Sequence, residues 1–177
     1  ILQRALSTTL QATGRQVVCA HWSTAPSHES PTDSALSLSL AAEQTAPYDE
    51  LMAHLVARAP AAIHVAYFAD VQGAESSHSC RDELEVVNDE RRRKALDQAF
   101  LYPMKLLQAM ANCPLEWNSF VGLSLDACAF DSRSPVQPLQ ATLGALCQCA
   151  AKEYEAWDIA HVDLSTSELA DLAQAPK

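Results

Sequence analysis

Glycine is scarce in this chain. Four glycines occur in 177 residues, at Gly14, Gly73, Gly122 and Gly144. They lie too far apart to assemble a GxGxxG turn or a Walker-type phosphate loop. An alternating α/β chain of this size normally binds a nucleotide at a glycine-rich turn after its first strand, and the parts that hold a dinucleotide are missing here. Positive charge is also short: 12 basic residues stand against 22 acidic ones, for a net charge of −10. That balance argues against a nucleic-acid or anionic-membrane partner, since both are held by positive surface. The one basic run, Arg91-Arg92-Arg93-Lys94, follows Asn88-Asp89-Glu90 and reads as solvated, charge-compensated helix. No apolar stretch approaches the ~18 residues that a membrane-spanning helix needs.

A second absence concerns proton transfer. A reductase of alternating α/β architecture would need a Tyr-x-x-x-Lys pair, in which the lysine lowers the proton affinity of the tyrosine. Tyr102 is followed by Lys105 one residue too early, and Tyr154 comes after Lys152. Gly122-Leu-Ser124-Leu-Asp126 has part of a nucleophile elbow, but the second glycine of that turn is replaced by Asp126, so Ser124 reads as an ordinary strand residue. His78 and Cys80 lack a second ligand pair at finger-like spacing. Cys147 and Cys149 fall about 200° apart on a helix and cannot chelate one ion together. The sequence therefore assigns no catalytic, cofactor-binding or metal-binding residue.

What is present is a core. Apolar residues make up 49% of the chain, enough for one globular domain spanning residues 1–177. The six cysteines, Cys19, Cys80, Cys113, Cys128, Cys147 and Cys149, have no framework spacing and read as reduced, mostly buried thiols of a cytoplasmic protein. The chain opens at Ile1 in mid-pattern, which reads as a fragment of something longer.

Leu2, Leu6 and Leu10 form a helical stripe that Gly14 can end. Residues 16–22 read as a short buried strand, and Leu36 to Leu40, alternating with serines, as a half-buried or edge strand. Pro47, Asp49 and Glu50 favour a helix start. Residues 62–68 give the clearest buried strand, and 70–84 a mobile polar connection. A long helix is predicted from about Asn88 to Asn112, with Leu96, Ala99, Phe100, Met104, Leu107 and Met110 on one face and Pro103 forcing a kink or break. Trp117 to Leu125 is the next strand, Pro138 to Tyr154 a helix, and Asp158 to Leu164 a strand. Ser165 or Thr166 can cap a last short helix ending near Ala173. Trp22, Trp117 and Trp157, in or beside strands, read as core. Strands joined through helices pair in parallel, so the expected fold is a truncated Rossmann-like, doubly wound, mainly parallel sheet flanked by helices. In such a sheet the first strand lies at the centre, and here it is missing. A vacancy is thus expected between the strand at Val17–Trp22 and the strand at Ile63–Phe68; the alternative places Leu36–Leu40 in that slot.

The segment Pro138-Leu-Gln-Ala-Thr-Leu-Gly-Ala-Leu-Cys-Gln-Cys-Ala-Ala-Lys-Glu-Tyr154, followed by His161-Val-Asp-Leu164, resembles part of the ketoreductase regions of modular polyketide synthases. There a "P…QA…LG" helix ends in "EY" or "EH" ahead of a "VDL" strand. Upstream, Ala62 to Asp70 is similar to the family's "VVHLW" strand, and Leu106-Leu-Gln-Ala-Met110 resembles its "LLxLxQAL" helix. Phe120 to Ser124 stands where those proteins carry a strand before a "TRGA" turn. The resemblance runs from about residue 45 to 164. It departs at Leu125-Asp126-Ala127-Cys128, which replaces "TRGA", and at Glu155-Ala156-Trp157, where a proline is usual.

The resemblance implies the structural subdomain, the truncated short-chain-dehydrogenase-like half that binds no cofactor and braces the catalytic half. NADPH is then expected only on the adjoining catalytic ketoreductase subdomain. Expected partners are that subdomain or other synthase domains, with an acyl carrier protein engaged indirectly. The chain is not an enzyme by itself on this reading, but one part of a biosynthetic multienzyme. Two rivals remain open: a free-standing small reductase with an irregular site, and an acidic protein-interaction module.

Overall fold

The computed structural model describes residues 2–13, 17–22, 35–38, 46–58, 62–69, 89–114, 118–129 and 136–166. The expected mobile connection at 70–84, the His78–Cys80 pair, Trp117 and the short helix after Thr166 lie outside these residues. In chain order the elements are α1 (Leu2–Ala12), β1 (Cys19–Trp22), β2 (Ala35–Leu38), α2 (Ala46–Val56), β3 (Ile63–Phe68), α3 (Asp89–Leu96), a π turn (Asp97–Leu101), α4 (Tyr102–Ala111), β4 (Asn118–Leu125), α5 (Ala141–Glu153) and β5 (Asp158–Leu164). The order of strands and helices follows the sequence pattern. β1 is shorter than the pattern suggests, beginning at Cys19.

All observed strand pairs are parallel. β3, β4 and β5 form one sheet in that order, with Ile63 opposite Asn118 and Ser119 opposite Asp158. β1 and β2 form a second, with Cys19 opposite Ala35. Among the described residues no pairing joins β1 to β3, and β2 pairs with β1 rather than taking a central slot beside β3.

Burial alternates strictly along β4, from Asn118 to Leu125, as a pleated strand dictates. Its inward residues meet Ile63 and Tyr67 of β3, and Tyr67 stacks on Phe120 with ring centroids 6.2 Å apart. Tyr48, Leu51 and Met52 of α2, Leu106, Leu107 and Met110 of α4, and Leu143 and Cys147 of α5 complete the core. α2 opens with Pro47 in its first turn and Asp49 beside the N-terminal dipole, as the sequence suggests. α5 lies close on the sheet because two glycines face bulk. A Cβ on Gly122 would meet Cys147 Sγ at 2.9 Å, and one on Gly144 would meet the His161 ring at 3.0 Å. Trp157 is half-buried in the turn before β5, stacked on Tyr154 at 4.5 Å, while the side chains of β1, including Trp22, are not described.

The long helix is where the sequence pattern misleads. Residues 97–101 form a π turn, and the Tyr102 N–H donates to Asp97 O, five residues back. Proline has no N–H, and its ring would crowd the carbonyl of residue 99 in a regular helix. The wider turn immediately before Pro103 removes that clash. The extra residue rotates everything after it by about 100°. Leu107 and Met110 consequently align with Ala95 and Ala99, which are buried, and not with Leu96 and Phe100, which are 42% and 39% exposed. The single apolar face expected over 96–110 is thus corrected to two faces joined by a phase shift.

Candidate functional site

In open parallel α/β sheets, ligands bind beyond the carboxyl ends of the strands. Here that region is built from the ends of β4 and β5 and the turn that opens α5. Ser124 and Asp163 face each other across the β4–β5 ladder, one residue pair before its end. Gly122 and His161 form the pair two residues earlier on the same side.

The Ser124 hydroxyl donates to Asp163 Oδ1 at 2.7 Å and lies 2.9 Å from His161 Nε2. With its proton committed to the carboxylate, the hydroxyl accepts from the imidazole, which assigns Nε2 as the protonated nitrogen. Asp163 is saturated further by the chain after β4: Ala127 N–H donates to Oδ1 at 3.0 Å and Cys128 N–H to Oδ2 at 2.9 Å. Asp126 turns the chain with a φ of 52°, a left-handed conformation in which Asp is among the few tolerated non-glycine residues. Its carboxylate accepts from the Thr166 N–H at 3.0 Å and from the Thr166 hydroxyl. Its backbone N–H donates to Leu164 O at 2.9 Å, and its carbonyl accepts from Gln137 N–H at 2.7 Å. Gln140, buried beneath, accepts from Leu125 N–H at 2.8 Å and donates to Gln137 Oε1 at 3.1 Å.

Each of these groups answers a need left by its neighbour, as a buried polar cluster requires. The chemistry such a cluster can do follows from its order. In a nucleophilic triad the carboxylate orients the imidazole and the imidazole takes the serine proton. Here the carboxylate sits on the serine, and the imidazole acts as donor. Ser124 is 1% exposed and Asp126 3%, so no substrate atom reaches them from solvent. The arrangement ties the β4 turn to the end of β5 and to the start of α5.

The residues weighed from sequence alone are dispersed. Tyr102 and Lys105 lie in the first turn of α4, while Lys152 and Tyr154 sit at the carboxyl end of α5, near where β5 begins and away from the strand ends that hold Ser124. Cys147 is buried under α5 and Cys149 is exposed on it, consistent with their opposed directions. Burial pushes the Cys147 thiol up to about 11, against a weaker lowering by a hydrogen bond to the Gly122 backbone. Among the described residues no group of three potential ligands is placed to hold a metal ion. No described helix is long and apolar enough to cross a membrane. Sequence reading treats Ser124 as an ordinary strand residue and passes over its partners. The available signal is the shared spacing of Ser124-x-Asp126 and His161-x-Asp163 at two strand ends.

Neither a protein-family model nor a curated protein sequence matches the chain. Solved structures do match. A provisionally assigned short-chain dehydrogenase/reductase from Burkholderia xenovorans aligns with a TM-score of 0.54 and 14% identity, over 81% of this chain and 56% of its own. A short-chain dehydrogenase from Streptomyces avermitilis gives 0.56 and 20%, over 90% of this chain and 59% of its own. A provisionally assigned short-chain alcohol dehydrogenase from Burkholderia multivorans gives 0.60 and 16%, over 93% and 76%. The chain has the truncated Rossmann-like fold of short-chain dehydrogenase/reductases, and it spans less than two thirds of the first two of these proteins.

Proposed function

We propose that this chain is a non-catalytic structural subdomain that braces the ketoreductase region of a modular polyketide synthase. The short-chain-dehydrogenase fold supplies the architecture, and the motif order from Ala62 to Leu164 supplies the family resemblance. The observation that carries the reading is the network of Ser124, Asp126, Gln140, His161, Asp163 and Thr166, the first three of them buried. It occupies the strand ends where a cofactor and an acid–base pair would have to sit, and it spends their hydrogen-bonding groups on the protein itself. NADPH and chemistry then belong to an adjoining catalytic subdomain, with which this one packs. The acyl carrier protein is served only through that partner.

A second reading, a small reductase with an irregular site, draws on the likeness to dehydrogenases. Two measurements separate the two. Purified chain is titrated with NADPH while nucleotide fluorescence is followed, and it is then assayed with NADPH and a β-ketoacyl thioester surrogate. The scaffold reading expects no saturable binding and turnover equal to buffer. Saturable binding with measurable reduction would establish the rival.

A further inference from the structure

Pro103 deprives the helix of a donor as well as crowding it. In a regular helix the Gln98 carbonyl is served by the N–H of residue 102, and in a π turn by that of residue 103. Here the Tyr102 N–H donates to Asp97 O, and residue 103 has no N–H. Neither helical donor therefore reaches Gln98 O. A backbone carbonyl buried without a partner costs as much free energy as a lost hydrogen bond. The helix does not break in answer. Leu96, Leu101 and Tyr102 keep right-handed helical angles on both sides of the turn.

The missing donor comes from another element. Tyr67 of β3 is 4% exposed, and its hydroxyl donates to Gln98 O across 31 positions of sequence. Its ring is stacked on Phe120 of β4, so the hydroxyl is presented from the packed face of the sheet. Burial, and then the neighbouring phenols of Tyr48 and Tyr102, hold its proton well above the ordinary phenol range, which keeps it a donor. We propose that Tyr67 and Pro103 form one conformational latch: the proline strips Gln98 O of its helical donor, the tyrosine replaces that donor from the sheet, and the pair fixes the helix in its rotated phase. In that phase Leu96 and Phe100 turn outward, at 42% and 39% exposure, while Ala95 and Ala99 turn inward. The latch thus selects which side chains this helix shows at the surface. The inference does not rest on the scaffold reading, since it concerns contacts within the chain and is tested without NADPH.

A double-mutant cycle tests it, with Tyr67→Phe, Pro103→Ala and the two together followed by thermal denaturation. With Pro103 in place, Tyr67→Phe leaves the Gln98 carbonyl without a donor and should lower the melting temperature by about 3–6 °C. In the Pro103→Ala background the restored N–H serves that carbonyl, and the same change should lower it by less than about half as much. A Tyr67→Phe chain that folds only when Pro103→Ala accompanies it carries the same support. Equal losses in the two backgrounds, or no loss in the first, would overturn the proposal. A second measurement leaves Tyr67 unchanged. Its hydroxyl proton should exchange slowly enough to be seen by NMR in the parent chain, with cross-relaxation to Gln98 or Ala99. In Pro103→Ala, where a main-chain donor competes for the acceptor, it should exchange about tenfold faster or more. A hydroxyl proton absent from the parent spectrum, or exchanging alike in both proteins, would overturn the proposal even if no Tyr67→Phe chain folds.

Discussion

Gly122 is the position at which one methyl group should matter most. It lies in the middle of β4, under α5, and an ideal Cβ there would sit 2.9 Å from Cys147 Sγ and 3.1 Å from Leu143 Cγ. Those separations fall well short of the ~3.5–4.0 Å optimum for non-bonded carbon. Neither neighbour can swing aside into solvent, because Leu143 is 0% and Cys147 2% exposed. Overpacking of this kind costs about 1–3 kcal/mol. The reduced freedom of alanine in the unfolded chain offsets about 0.4–1 kcal/mol of it. Gly122→Ala should therefore lose about 1.5 kcal/mol, lowering the melting temperature by about 3–6 °C in a chain of this length. Urea and thermal denaturation followed by circular dichroism measure it. Cys147→Ala removes the closer obstacle, so the double variant should be more stable than the sum of the two single effects predicts, by about 0.5 kcal/mol or more. A Gly122→Ala protein as stable as the parent, or strict additivity with Cys147→Ala, would show that α5 does not press on β4 as described.

Asp126→Ala should lose about 2–3 kcal/mol, because it removes both acceptors from Thr166 and places alanine in a left-handed conformation. Asp126→Asn, which tolerates that conformation and keeps one acceptor, should lose less than about 1 kcal/mol by urea midpoint, and equal losses would refute the role given to the turn. Cys147 should resist a thiol reagent in the native protein and react only on unfolding, whereas exposed Cys128 and Cys149 react at once; reaction of Cys147 without unfolding would contradict its burial. Because the folded protein holds this thiol neutral, its ordinary value of 9.0 rising to about 11, its contribution to stability is complete below pH 9.0 and disappears as pH climbs to about 11. Burial raises the phenols of Tyr48 and Tyr67 as well, so the alkaline loss has the same sign for all three. The slope between those limits should shrink in Cys147→Ala.

β3, β4, β5 and α5 were legible in the sequence because each is a local pattern: an apolar run bounded by turns, or a stripe at helical spacing. The strand-end network was not, because Ser124 meets Asp163 only through a ladder register across 39 positions. Leu96 and Phe100 misled for a different reason. Their spacing from Leu107 and Met110 is correct for an unbroken helix, and the turn that breaks it leaves no mark beyond Pro103.

That turn also governs how closely the helices pack. The inward residues around that turn are Ala95 and Ala99, buried to 8% and 0% exposure; the turn packs on α5, and the Tyr67 hydroxyl of β3 reaches the Gln98 carbonyl. Small side chains let the turn lie close to its helical neighbours, and the tyrosine ties it to β3. Shortening residues 97–101 by one would restore regular pitch and align Leu107 and Met110 with Leu96 and Phe100. A leucine and a phenylalanine would then point where two alanines now do, and the helix would have to move away from its neighbours to make room for them. The spacing between this helix and α5 is thus set by a count of residues, one more or one fewer, rather than by their hydrophobicity.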